Sequence, residues 1–186
     1  SGIVKQISGW VEWVAALNKG DVASITSGVW ITGSVKAEKS QSGLWRVAPT
    51  PSLGIPGSVN ASNLGGSSWY VLAGGKEKAA AIDFLNEVWA KDVDFYQTIL
   101  DGRGAVGTLT ASRAGKAYSA ADAFFGGDKV WQSFSDWMAK VPSVNYGMFT
   151  GEADAAMASQ LPALMQGTPT DKILENIHNQ LATQVK

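Results

Sequence analysis

Short runs of β-branched and aromatic residues, too brief to be helices, alternate along this chain with longer stretches whose apolar residues recur every three or four positions. That alternation points to the α/β class, in which helices cover a sheet. Ile3, Ile7, Trp10, Val11, Val14 and Leu17 share one face at helical spacing, and Gly20 supplies a stop. Residues 21–28 then read as a short buried strand, residues 29–31 enter a short helix, and residues 44–49 read as a second strand ended by Pro49, Pro51 and Pro56. A turn-rich stretch at 60–68 runs into a third strand at 69–73. Helices are predicted over 76–89 and from Val93 to a stop at Asp101-Gly102, and a third follows Asp128, its expected N-cap. Two more close the chain. One runs from about Glu152 to Gln166 with a kink at Pro162, and the last starts near Thr170 with Ile173, Leu174, Ile177, Leu181 and Val185 on one stripe.

With 186 residues, 45% of them hydrophobic, the chain can bury a real core and is long enough for one large domain or one and a fraction. Fifteen basic and 16 acidic residues are scattered rather than grouped. No basic face is therefore available for nucleic acid or an anionic membrane. The absence of cysteine removes disulfides, thiolate metal sites and cysteine nucleophiles together. No apolar run is long enough to span a bilayer, and the opening Ser1-Gly2-Ile3-Val4-Lys5 lacks the regions of a secretory signal. Ser1-Gly2 reads equally as a cloning or protease scar, with any targeting signal lying upstream.

Nucleophilic catalysis needs a positioned base, and His178, the single histidine, sits among Asn176, Asn179 and Gln180 as an exposed helix residue would. Zinc would need several such ligands brought together. The pairs Asp92 with Asp94, Asp122 with Asp128, and Glu152 with Asp154 leave a glycan hydrolase as the alternative enzyme reading. Each pair also has a simpler role at a helix start, where carboxylates cap N–H groups and meet the positive end of the dipole. The Gly-Gly pairs at 65, 74 and 126 lack any nucleotide-binding spacing.

Eight tryptophans against ten phenylalanines and tyrosines combined is the most unusual proportion. Indoles suit half-wet pockets in which a sugar's C–H face lies on the ring. Gly65 and Gly66 lie among Asn60, Ser62, Asn63, Ser67 and Ser68 immediately before Trp69, so exposed amides, short polar side chains and an indole stand together. That grouping reads as half of a sugar site.

The order of the segments carries a resemblance. The helix end, Asn18-Lys19-Gly20, strand and Gly28-Val29-Trp30 are similar to a block of extracellular solute-binding proteins of the maltose-binding and multiple-sugar-binding type. Val47-Ala48-Pro49-Thr50-Pro51, Asn63-Leu64-Gly65-Gly66-Ser67-Ser68-Trp69, Phe124-Phe125-Gly126-Gly127 and Val141-Pro142-Ser143-Val144-Asn145-Tyr146-Gly147 follow in that family's order. The resemblance runs from about Trp10 to the end and is to the carboxy-terminal portion of such a receptor. It implies a helix-rich α/β chain, part of a periplasmic-binding-protein-like type II fold. Residues 1–59 would form a lobe-two segment, 60–115 a return into lobe one with the hinge crossings, and 116–186 the lobe-two carboxy-terminal helices.

It further implies a binding protein without cofactor, not an enzyme, that serves an ABC importer. The receptor would hold a mono- or oligosaccharide by stacking and hydrogen bonds and deliver it to a membrane permease. Its place would be extracytoplasmic, in the periplasm or lipid-anchored at the cell surface. By position, Trp30 would stack on the sugar, Gly65, Gly66 and Ser67 would contact its hydroxyls with Asn63 and Trp69 beside them, and Tyr146 and Phe149 would line the lobe-two wall. Trp10, Trp13, Trp89, Trp131 and Trp137 are expected in packing. Much of lobe one has no counterpart here, so the expected partners include the missing amino-terminal portion or another copy of the chain. An engineered or proteolytic half-receptor without ligand binding is the third reading.

Overall fold

The computed structural model describes residues 4–7 and 9–185. Ile3, expected on the first helical stripe, and the Ser1-Gly2 start lie outside the described residues. The chain divides into two compact units, Ser1–Pro142 and Ser143–Lys186.

In the first unit, α1 (Trp10–Asn18) begins at Gly9, so Ile7 precedes the helix rather than joining its face. A 3-10 turn (Val29–Ile31) leads directly into the short α2 (Thr32–Val35), and Lys39–Gln41 forms another such turn. After a long irregular stretch come α3 (Lys78–Phe84) and a π-helical turn (Leu85–Trp89), then α4 (Val93–Arg103). Asp92 caps α4 by accepting the Phe95 N–H at 2.9 Å, and Gly104, with φ +65°, ends it in the left-handed conformation. The stop thus falls two residues beyond Asp101-Gly102. Next are α5 (Lys116–Ser119) and α6 (Val130–Met138).

Leu17 of α1, Ile31, Val35 of α2, Leu100 of α4, Tyr118 of α5, Phe124, Phe125, Val130 and Trp131 of α6 make one buried cluster. Each helix reaches it with a single apolar stripe, which is why elements of four to eleven residues suffice. The 3-10 turn Ala123–Phe125 enters this core with Asp122 as its cap, its carboxylate accepting the Phe124 N–H at 3.0 Å.

Asp128 is not the cap of α6. Lys129 holds that position without a side-chain cap, while the backbone of Asp128 is drawn back to Asp122 in an antiparallel bridge. The bridge, six residues across, and the tight turn through Gly126 and Gly127 determine where Asp128 points, and the helix pattern that begins at Val130 reports neither.

The largest departure from expectation concerns the strands, for among the described residues none is formed and only that isolated bridge is present. Residues 22–27, 45–50 and 69–72 carry no regular structure. Burial along 43–48 nevertheless alternates residue by residue, with Trp45 and Val47 turned in and Leu44, Arg46 and Ala48 turned out. That is the side-chain period of a strand. A strand also needs a neighbour to exchange N–H and C=O bonds with, and no described residue supplies one. The helix-rich part of the expectation therefore holds, and the sheet is missing for want of pairing partners.

The second unit is an αα-hairpin of α7 (Thr150–Met165) and α8 (Thr170–Gln184) turned at Gly167, whose φ is +92°. Helix α7 continues across Pro162 to Met165. Ser159 bonds Gln180 and Asn176 bonds Gln160, so rising numbers on one helix meet falling numbers on the other and the two run antiparallel. Ala156 and Ile173 are the residues the pair buries.

Candidate functional site

Trp30 lies in the 3-10 turn between the irregular stretch 22–28 and α2, where a turn of three residues fixes its direction. Its indole N–H donates to the Leu64 carbonyl at 2.9 Å, a contact across 34 residues. This bond ties the turn to the glycine loop. A Cβ placed on Gly65 would stand 3.8 Å from the indole nitrogen, so the loop passes directly beside the ring. Trp30 remains 40% exposed, which leaves ring surface open to a ligand.

Gly28 explains the spacing two residues ahead. A methyl group there would come within 2.3 Å of the Trp30 nitrogen and 2.9 Å of the Leu64 carbonyl oxygen. Only a residue without Cβ lets the indole fold back onto position 64.

The loop is braced from within, since the Asn63 side-chain amide donates to the Gly65 carbonyl at 3.2 Å. Gly65 and Gly66 have φ of +83° and +134°, angles that residues with side chains seldom adopt. None of the N–H groups of Gly65, Gly66 and Ser67 bonds another backbone carbonyl among the described residues. Exposed amides beside an indole are thereby brought together, and Asn63 acts by shaping the loop.

Trp10 and Trp13 stand three residues apart on α1 and both meet Trp30, with ring centroids at 5.6 and 6.0 Å. Trp10 is half-exposed rather than packed away, because α1 presents that face beside the Trp30 turn. Helical spacing assigned both indoles to packing and gave no sign that Trp30 is their neighbour. Trp69 joins a different group, lying 5.1 Å from Trp89, which in turn meets Phe95 and Tyr96 edge-on. Trp131 is in the core as expected. In the second unit Tyr146 and Phe149 are exposed before α7, and the Thr150 hydroxyl donates to the Tyr146 carbonyl.

Three of the six paired carboxylates have structural partners. Asp122 accepts from Lys36 at 2.9 Å as well as capping its turn, Asp128 lies 3.9 Å from Arg46, and Asp92 caps α4. The hydrogen bond from Lys5, with its charge, holds the Asp21 carboxyl below the ordinary carboxylate range. His178 is exposed on α8. Among the described residues no group of three or more His, Asp and Glu is placed to hold a metal ion. No helix there is long and apolar enough to cross a membrane.

A separate groove of about 750 Å3 lies in the first unit, walled by residues 22–28 and 44–51 and backed by Ile31, Val35, Phe125 and Phe134. Arg46 is the one charged residue lining it. Sequence reasoning did not anticipate this groove, because its walls are the two stretches expected to be strands.

Over 184 residues, 99% of its length, the chain is 54% identical to a lactose-binding protein of Rhizobium radiobacter. It spans 44% of the length of that relative. No protein-family profile matches the chain, and no solved structure matches it. The similarity is to a binding protein, in agreement with the reading of the residues as a binding module rather than an enzyme.

Proposed function

As a homologue of part of a sugar-binding protein, this chain carries, we propose, one wall of a carbohydrate site built on Trp30 and the loop 63–67. The observation that carries the reading is the bond from the Trp30 indole to the Leu64 carbonyl, which brings a half-exposed ring beside unpaired backbone amides. A pyranose presents apolar C–H groups on its face and hydroxyls around its rim. The ring takes the face by dispersion and burial, and the amides of Gly65, Gly66 and Ser67 take the rim. The indole N–H is already engaged by the protein, so Trp30 offers its surface and not a hydrogen bond.

The relative's name makes lactose the first sugar to try. In the wider reading the chain is the carboxy-terminal part of a type II two-lobed receptor of an ABC importer, working outside the cytoplasmic membrane, in the periplasm or lipid-anchored, and delivering sugar to a permease. Residues 1–59 and 116–186 then belong to lobe two and residues 60–115 to the return through lobe one. Trp69, Tyr146 and Phe149 would extend the aromatic lining of the cleft. Lobe closure over the sugar would complete the hydrogen-bond set.

Backbone NMR of the chain titrated with lactose, and with a panel of other mono- and disaccharides, tests the site. Shifts at the Trp30 side chain and at the Gly65, Gly66 and Ser67 amides are expected at millimolar sugar, as suits one wall of a cleft. Trp30→Ala should weaken the response at least tenfold, the scale of stacking removed from a half-open site. Silence across the panel, or shifts confined to residues remote from Trp30, would refute the assignment.

A further inference from the structure

Trp10 is, we propose, a displaceable cover on Trp30: in the sugar-free chain its indole lies across the outward face of that ring, and a pyranose binds by taking its place. This role presupposes that Trp30 is a stacking surface, and it makes Trp10 the residue that sets how tightly that surface holds a sugar.

The two contacts that Trp30 makes with α1 differ in kind. Trp13 meets it edge-on, with 71° between the ring planes, whereas Trp10 is tilted by only 36° at a centroid separation of 5.6 Å. That separation falls within the range of offset stacks, so part of the Trp10 ring overlies part of the Trp30 ring. The two neighbours also stand on different sides. Trp13 packs against the buried cluster, while Trp10 is 51% exposed, so Trp13 marks the inward side of Trp30 and Trp10 the outward one. A sugar arriving from solvent therefore meets Trp30 with another ring already on it.

Only one of the stacked pair is anchored. The Trp30 N–H is bonded to the Leu64 carbonyl, and among the described residues the indoles of Trp30 and Trp45 alone donate a hydrogen bond, which leaves Trp10 without one. Trp10 is also the first residue of α1, behind Gly9, which supplies no side-chain cap. A helix start of that kind leaves N–H groups unsatisfied and unwinds readily. The helix is held at its other end by the buried Ala16 and Leu17, while Trp10 and Val11 stand exposed. Ring contacts alone thus keep Trp10 in place, and exposed side chains change rotamer on the picosecond-to-nanosecond scale. Its departure lowers affinity without slowing entry.

A sugar that must unseat Trp10 binds only the fraction of molecules in which Trp30 is bare, and its apparent affinity falls by that fraction. An aromatic pair favours the covered state by about three- to tenfold. The reduction is the same for every ligand, because it is a property of the empty protein. It acts as a threshold. A sugar with a continuous C–H face offers enough surface to replace an indole, and a small solute with hydroxyls projecting from both faces does not.

Trp10→Ala tests this in the same NMR titration with lactose and the sugar panel. The variant is expected to bind every sugar that shifts Trp30 about three- to tenfold more tightly, by one common factor, and Trp10→Phe, which still stacks, by a smaller one. In the unaltered chain, proton cross-relaxation between the Trp10 and Trp30 rings is expected without sugar and is lost at saturation, a readout that needs no variant to fold. Affinity that is unchanged or weaker in Trp10→Ala, or a factor that differs from sugar to sugar, would mean that Trp10 is idle or touches the ligand, and would overturn the proposal. So would ring-to-ring cross-relaxation that persists once Trp30 is saturated. Those failures, with sugars still binding at Trp30, remove the cover alone. If no sugar moves Trp30 in either the unaltered chain or Trp10→Ala, the sugar wall itself is refuted and the cover falls with it.

Discussion

Gly28 and Trp30 show how much of this site rests on a missing methyl group. The glycine's φ is −80°, an angle any residue adopts, so its requirement is steric and not conformational. Gly28→Ala is expected to push the indole off Leu64. The bond lost is worth about 1 kcal/mol of stability, a moderate sum because the ring can swing into solvent. Denaturant unfolding measures that cost, and the Trp30 indole proton should exchange with water markedly faster. A native-like exchange rate in Gly28→Ala would mean the backbone yields instead, and the account of the spacing would be wrong. Sequence alone made Trp30 and the glycine pair conspicuous by composition and order. It could not disclose Leu64, whose part is played by a carbonyl that every residue possesses.

Helices were legible where their causes are local. The start of α8 near Thr170, the cap of α4 and the end of α7 near Gln166 follow from residues within a few positions of one another, whereas the expected α8 stripe buries only Ile173, leaves Leu174 exposed and loses Val185 beyond the helix end. Asp92→Ala should therefore destabilise the first unit by about 1 kcal/mol, the usual cost of losing an N-cap, because α4 contributes the fully buried Leu100 to the core. Thermal unfolding of the variant checks it, and an unchanged midpoint would show that tertiary packing alone holds the helix. The strands were misjudged for the complementary reason. Residues 44–48 have the right period and composition, but a ladder depends on a second segment, and none among the described residues pairs with them. Asp128 failed as a cap because the bridge to Asp122, formed across a turn, outweighs the helix start beside it.

At the scale of the whole molecule, an accessible surface of 13043 Å2, against roughly 8,600 Å2 for a self-contained monomer of 19.6 kDa, fixes how the protein should respond to denaturant. An unfolded chain of this mass exposes about 28,000 Å2, so folding here removes roughly three quarters of the area that a self-contained chain would remove. The slope of unfolding free energy against urea scales with that area. A slope about a quarter below the norm for 186 residues is expected. A normal slope in the isolated chain would contradict the incomplete burial described above. The eight indoles are also distributed in groups, with Trp10, Trp13 and Trp30 within 6.0 Å of a neighbour and Trp69 beside Trp89. Rings this close share electronic excitation, so light absorbed by any member of a group belongs to all of it. The molecule consequently carries built-in chromophores whose emission colour and polarisation report on the surroundings of Trp30 as a unit, and no dye need be attached to watch them.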